Sequence, residues 1–325
     1  MLGPLLALAS AACFGLNNAA LRRGVLTGGV LQAMAITVPL GVPFFLLACA
    51  LFGGFDSLAD FSLPSWAWLT LAGVVHFVIG RYGNYRTTRA LGATLSGPIH
   101  QLSVPIALVL ALLFLDEVLT PLRLAGFLLV MTGPLVAVRG SNKRKQKQKT
   151  EHFEPHVGEG MVWGTVCALG YGSSPLFIVK GLGPERSIVD SLAAGLVSYS
   201  AAAIVVLVLV AIAGGAAYMR SLDRTARNWF AASGFFVFLS QMFRYMALAV
   251  APVTVVVPIQ RLSVVFRVIF SWLINRDHEV ITGQVLLGIA ISLLGALALT
   301  LSTDIVAAVL PESMAWLVTL SWPAP

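Results

Sequence analysis

The chain is short of charge. Of its 325 residues only 11% are Asp, Glu, Lys or Arg, against about 25% in ordinary soluble domains. At the same time 58% are hydrophobic and the mean hydropathy is +0.88, so a water-soluble globule is excluded and an all-α polytopic membrane protein follows. Cysteine is scarce: Cys13, Cys49 and Cys167 lie inside apolar runs without CxxC spacing. Neither a disulfide framework nor a metal site is expected, and no cofactor is implied. The N-terminal stretch MLGPLLALASAACFG lacks the basic region of a cleavable leader and reads as a first span. Acid is missing where it would matter most. Every Asp and Glu lies in a loop or at the end of a run except Asp190, which stands only a few residues into one.

What is present is a series of apolar runs of bilayer length, at roughly 3–21, 30–53, 64–83, 92–114, 121–138, 160–179, 187–213, 228–249, 253–274 and 280–302. A spanning helix needs about 20 apolar residues, so ten spans are expected. Trp66, Trp68, Trp163, Trp229 and Trp272 fall near the proposed span ends, where aromatic anchors concentrate. The one long polar connector, 139–159, divides the chain into five spans on each side. The two halves echo each other. Pro98-Ile99-His100-Gln101-Leu102-Ser103 recurs as Pro258-Ile259-Gln260-Arg261-Leu262-Ser263, Gly15 and Gly24 align with Gly172 and Gly181, and Glu117-Val118 and Gly126 align with Glu279-Val280 and Gly288. An odd number of spans per half makes the second enter the membrane in the opposite sense, the inverted-repeat plan of many secondary transporters.

Run 253–274, VTVVVPIQRLSVVFRVIFSWLI, carries Arg261 and Arg267 in its interior. A cation near the bilayer centre costs about 2.5–3.5 kcal/mol on insertion scales and faces protein or a wet cavity rather than lipid. Structural pairing and substrate contact are both open; the lack of a deep acidic partner favours contact. Helical spacing sets Gln260, Ser263, Arg267 and Ser271 on one face, with Arg261 about 100° from Gln260. The matching stripe in the first half is His100, Ser103, Ala107 and Ala111, with Gln101 in the place of Arg261. Arg244-Tyr245 stands where the first half has Asn84-Tyr85, and His76, Arg81 and Tyr171 complete the candidate lining. For Arg244 the competing reading is snorkelling towards a span end; for the histidines and tyrosines it is ordinary core packing. Asn17 and Asn18 read as bridges between helices, and Arg86 and Arg89 as interfacial anchors.

These stretches resemble a known family. AACFGLNNAALRRG, the 81–133 segment beginning RYGNYRTTRALG, and FRYMALAVAPVTVVVPIQRLSVVFRVIFSWLI followed by EVITGQVLLGIAISLLG look like the EamA type of the drug/metabolite transporter superfamily. The resemblance covers about residues 1–302 and implies two inverted five-helix repeats, 1–138 and 160–302, flanking the connector 139–159, with 303–325 an interfacial tail. It further implies alternating-access transport of a small metabolite in a bacterial or archaeal inner membrane. Small multidrug exporters of that superfamily use a carboxylate in their first helix, which is absent here, so cationic drugs are disfavoured as cargo. An anionic small molecule fits Arg261 and Arg267 better.

Lys and Arg accumulate on one side of the spans. Arg22, Arg23, Arg86, Arg89, Arg220, Arg224, Arg227, Arg276 and the run Arg139, Lys143, Arg144, Lys145, Lys147, Lys149 face Arg123, Lys180 and Arg186 on the other. The positive-inside rule makes the connector cytoplasmic and both termini external, whereas the family is usually drawn with its termini inside. The basic run, 139–149, is expected to meet anionic lipid. Without interleaved aromatics it does not read as a nucleic-acid site. A homodimer is compatible with this plan. The rival functions are a membrane enzyme acting on lipid or isoprenoid, for which Asp277-His278-Glu279 is the nearest acidic cluster, and a non-transporting receptor or scaffold.

Overall fold

The computed structural model describes residues 2–25, 27–145, 156–274, 283–300, 312–314 and 316–322, excluding the side chains of 22, 91–98, 134, 137–145, 268, 271–274, 285, 292, 296, 297, 300, 312 and 318. Most of the connector's centre, the Asp277-His278-Glu279 cluster, the Ser271 side chain and 301–311 of the tail lie outside the described residues. Among the described residues the structure is helical, apart from one isolated β-bridge between Leu119 and Trp322.

The first half contains α1 (Leu2–Gly24), α2 (Val30–Thr37), α3 (Gly41–Phe52), α4 (Gly54–Asp60), α5 (Leu63–Gly73), a π-helical stretch (Val74–Gly80), α6 (Arg81–Gln101), α7 (Ser103–Phe114) and α8 (Pro121–Lys145). The second contains α9 (Val157–Leu182), α10 (Ile188–Ile212), α11 (Gly215–Arg220), α12 (Arg224–Val250), α13 (Val253–Gln260), α14 (Ser263–Ile274) and α15 (Gly283–Thr300), then a 3₁₀ turn (Glu312–Met314) and α16 (Trp316–Thr319). Among the described residues six stretches are long and apolar enough to cross a membrane: Leu2–Leu21, Val30–Phe52, Leu63–Ala90, Val157–Leu182, Ile188–Ile212 and Arg224–Val250. The remaining expected spans correspond to α6–α7, α8, α13–α14 and α15. Ile99–Phe114, Pro121–Gly133 and Leu286–Gly295 are their apolar stretches among the described residues, and run 253–274 is split into α13 and α14.

Proline accounts for some of the interruptions. Pro39 sits in the turn between α2 and α3, and Pro43 falls in the first turn of α3, where the missing N–H has no intrahelical partner in any case. Starts are capped in the ordinary way. Ser187 and Asp190 form a reciprocal box at α10, with Asp190 N to Ser187 Oγ at 3.1 Å and Ser187 N to Asp190 Oδ2 at 2.8 Å, and Asp223 accepts from Ala226 N at 2.9 Å to cap α12.

Although α6 is helical throughout, it doubles back. A Cβ on Gly164 would lie 2.4 Å from Ile99 Cγ2 and 3.4 Å from Thr87 Cγ2, yet twelve residues of straight helix extend about 18 Å. The reversal falls within 91–98, between the expected third and fourth spans.

The second spans of the two halves run antiparallel. Tyr199 of α10 fills the space beside Gly41 and Phe45 fills that beside Gly195, while Ser57 reaches Asp190 at 2.7 Å. This is the inversion required by five spans per half. Packing between the halves is reciprocal as well. Helix α1 runs antiparallel to α12, with Ser10 beside Ser240 and Asn17 beside Ser233, and parallel to α13–α14, with Ser10 beside Gln260 and Gly15 against Phe266. Its counterpart α9 runs antiparallel to the chain around Gly80 and Gly83 and parallel to Ile99–Phe114. Each half's first helix thus lies on the other half's third and fourth. A Cβ on Gly15 would meet Phe266 Cβ at 2.6 Å, and one on Gly172 would meet Ile106 Cγ2 at 2.7 Å. Small residues permit this backbone approach, which replaces the hydrophobic drive that lipid removes.

The core is aromatic where four spans meet. Phe77 and Tyr199 centroids are 4.1 Å apart, and Phe45 lies 5.1 Å from both Tyr199 and Phe238.

Candidate functional site

Between the halves lies a small cavity walled by α1, the π-helical stretch, α9, α12, α13 and the start of α14. Six of the twelve residues singled out in the sequence line it: His76, Tyr171, Arg244, Gln260, Arg261 and Ser263. Ser10 and Phe14 of α1, Ser240 and Gln241 of α12, and Val257 of α13 also line it. Ser240 and Gln241 precede Arg244 by one helical turn, a spacing that could have revealed them; Ser10 carried no such signal.

The local backbone aims these groups. His76 sits in the π-helical stretch, where an extra residue per turn rotates the side chains that follow. Its Nδ1 is 2.8 Å from Ser174 Oγ, and its ring stacks on Tyr171 at 4.5 Å between centroids. Arg244 lies in the same cluster. Its Nη2 donates to Ser174 Oγ at 2.8 Å and its Nη1 to Gln241 Oε1 at 3.2 Å, with the same Nη1 3.0 Å from His76 Nδ1 and 3.1 Å from Nε2. The snorkelling reading of Arg244 is corrected: only 3% of it is exposed, because Ser174 and Gln241 hold its guanidinium inside the core.

Opposite this cluster the chain breaks after Gln260. Arg261 N bonds Pro258 O at 3.0 Å and Leu262 N bonds Ile259 O at 3.0 Å, three-residue bonds that tighten the end of α13. Of the expected face of Gln260, Ser263, Arg267 and Ser271, Gln260 and Ser263 line the cavity and Arg267 does not. The break also lets Arg261 reach the cavity beside Gln260, despite the 100° that an unbroken helix would put between them. Gln260 Nε2 donates to Ser10 Oγ at 2.9 Å. Ser10 and Ser240 exchange bonds across α1 and α12, with Ser10 Oγ to Ser240 O at 2.7 Å and Ser240 Oγ to Ser10 O at 2.9 Å. Arg261 differs from its neighbours: its buried Nε has no hydrogen-bond partner among the described residues.

The other six candidates stand outside the lining. Arg81 donates to Thr37 Oγ1 at 3.4 Å and lies over the Phe77 ring at 5.2 Å. Tyr85 and Tyr245 are buried in the core. His100 and Gln101 end α6, and each has a buried side-chain atom, Nε2 and Oε1, without a partner among the described residues. Arg267 lies on α14, with its backbone against Gly15. Asn17 bridges helices by accepting from Ser233 Oγ at 2.6 Å, whereas Asn18 turns back to Phe14 O of its own helix at 2.9 Å. Arg86 pairs with Glu159 at 2.5 Å between the rings of Tyr82 and Trp163.

Among the described residues no carboxylate lines the cavity, and two guanidiniums do. The arrangement can therefore oppose two guanidiniums to a negative charge while serine, glutamine and tyrosine groups supply neutral hydrogen bonds.

Helices of bilayer length, inverted repeats and a polar cavity between them define an integral membrane protein of the transporter type. The EamA-like transporter family model matches residues 1–139 and again 158–301, so the chain belongs to that family, one repeat in each half. No curated protein matches the sequence. A solved structure described only as "Crystal structure of protein" is similar with a TM-score of 0.68 and 13% identity, over 95% of this chain and 98% of the other; it shares the fold.

Proposed function

We propose that the protein is a secondary transporter that moves a small metabolite bearing an anionic group, such as a carboxylate or phosphate, by alternating access through the cavity between its repeats. The observation that carries this reading is Arg261, a cation on the cavity wall whose Nε has no partner among the described residues, in a lining without a carboxylate. A guanidinium in a span is retained where it serves function, and its fork of donors suits either oxyanion. Arg244 adds positive potential from a fixed position, and Gln260, Ser10 and Ser263 orient the neutral part of the cargo. The loop charges support a cytoplasmic connector and external termini.

The test is flux into proteoliposomes with a panel of small carboxylates, phosphate esters and neutral amides. Saturable uptake of an anion that collapses in Arg261→Gln is the expected result. Equal uptake of neutral compounds, unaffected by that substitution, would remove the anion from the reading. Product formation without flux would point to an enzyme instead.

A further inference from the structure

The first free N–H groups of α13 are capped from the other repeat. Pro252, at the N-cap position, has no side-chain oxygen to offer; Glu117, in the segment after α7, reaches across, accepting from Val253 N at 2.7 Å through Oε1 and from Thr254 N at 2.8 Å through Oε2. Such a cap satisfies donors that would otherwise be orphaned at a helix start, and a carboxylate there also meets the positive end of the helix dipole. Val253 lies one turn from Val257, which lines the cavity, and α13 ends at Gln260, beside Arg261. Eight helical residues make a rod of about 12 Å, so what holds its first turn also sets where its last turn points.

The segment carrying Glu117 is itself held. Asp116 adopts a left-handed conformation with φ of 54°, which Asp tolerates better than most residues. Arg123 Nη1 donates to Val118 O at 3.2 Å. Two residues beyond Glu117, Leu119 exchanges a reciprocal pair of backbone bonds with Trp322, at 2.9 and 3.0 Å. The chain near its C-terminus thus returns to the loop that bears the cap.

We infer that Glu117 is a latch across the repeat interface, closing the end of the cavity nearest the 115–120 loop, and that the C-terminal segment is a strap that keeps the latch engaged. Glu117 is a positioning residue: it acts on cargo only through α13. The inference requires a cavity that opens and closes but no particular substrate. In an alternating cycle the Glu117 bonds break whenever that end opens, and the Leu119–Trp322 bridge sets how readily they do.

The test uses the full-length chain with Cys13, Cys49 and Cys167 replaced by Ala and Val257→Cys as a reporter. The rate of labelling by a charged methanethiosulfonate reagent is read in detergent, with thermal unfolding recorded alongside. Glu117→Gln and deletion of 312–325 should each raise that rate at least about fivefold, the lower end of ordinary coupling between sites. The two together should raise it no further than the larger effect alone, since they act on one device. Should Glu117→Gln fail to fold, the deletion and Leu119→Pro, which removes the donor to Trp322, decide the matter by the same fivefold criterion. Unchanged labelling in either variant, or effects that multiply when combined, would overturn the latch. Because labelling needs no cargo, its outcome is independent of the anion reading.

Discussion

Two helices in this molecule are interrupted at the same motif. In the first repeat α6 gives way to α7 at Leu102, whose N–H bonds Ile99 O at 3.1 Å; in the second, α13 gives way to α14 at Leu262, whose N–H bonds Ile259 O at 3.0 Å. The backbone device is shared, and what hangs from it is not. At the first break Gln101 is buried away from the cavity; at the second, Arg261, its counterpart, opens onto it. The repeat therefore supplies a symmetric frame, and single substitutions within it decide where charge is placed. The same division appears in the first helix of each repeat. Asn17 and Ser174 occupy matching positions in α1 and α9, but Asn17 only joins α1 to α12 whereas Ser174 ties His76 to Arg244.

The comparison is broken most directly by making the second interruption like the first. Arg261→Gln should lower kcat/KM for an anionic substrate by about 10- to 150-fold, the loss of a hydrogen bond to a charged group worth about 1.5–3 kcal/mol, as read in proteoliposome uptake. Adding Gln101→Arg should not restore it, because that position stands outside the cavity. The symmetric part of the frame is tested at the crossing glycines. Gly15→Ala and Gly172→Ala each drive a methyl into a neighbouring helix and should destabilise by about 1–3 kcal/mol, with similar shifts in thermal unfolding; a shift in only one would show that the crossings are not equivalent.

Ser174→Ala removes a partner from both His76 and Arg244 and should cost about 1–2 kcal/mol. It should also weaken substrate affinity, while Ser233→Ala, at the matching pair, should affect stability alone. The smallest effect belongs to Asp223, outside the spans. The Thr27 hydroxyl, followed by the Ala226 N–H, holds its carboxyl below the ordinary value of 3.8. A depressed acid stabilises the fold above the unfolded value and loses that contribution as pH falls through the folded one. The difference in stability between the wild type and Asp223→Asn should accordingly stay level across neutral pH and disappear in acid.

Much of the frame was legible in the residues. Long apolar runs announced the spans, the motif repeated at 160 residues announced the two halves, and an odd number of spans announced their inversion, which the antiparallel α3 and α10 display. The interruptions were less legible, since Pro258 lies inside α13 and the break follows three residues later. The reversal inside α6 falls between the expected third and fourth spans, whereas the π-helical turn at His76 left no periodic trace.

The candidate site divided along the same line. The sequence by itself determined that positive charge would lie in the membrane without acid to neutralise it, and that this charge would be concentrated in the second half, because composition and order along a helix are properties of the chain alone. It could not determine which of the two cations lining the cavity would be held by neighbouring side chains. Arg244 and Arg261 differ in sequence only by position, yet one is bound by Ser174 and Gln241 and the other has an Nε without a partner among the described residues. That choice, the arrival of Ser10 from α1, and the cap that Glu117 lends to α13 all depend on residues 70 to 250 positions apart being brought into hydrogen-bond range. Only packing between the halves can do that, since hydrogen bonds act over about 3 Å and local periodicity carries no information about a neighbour from the other repeat.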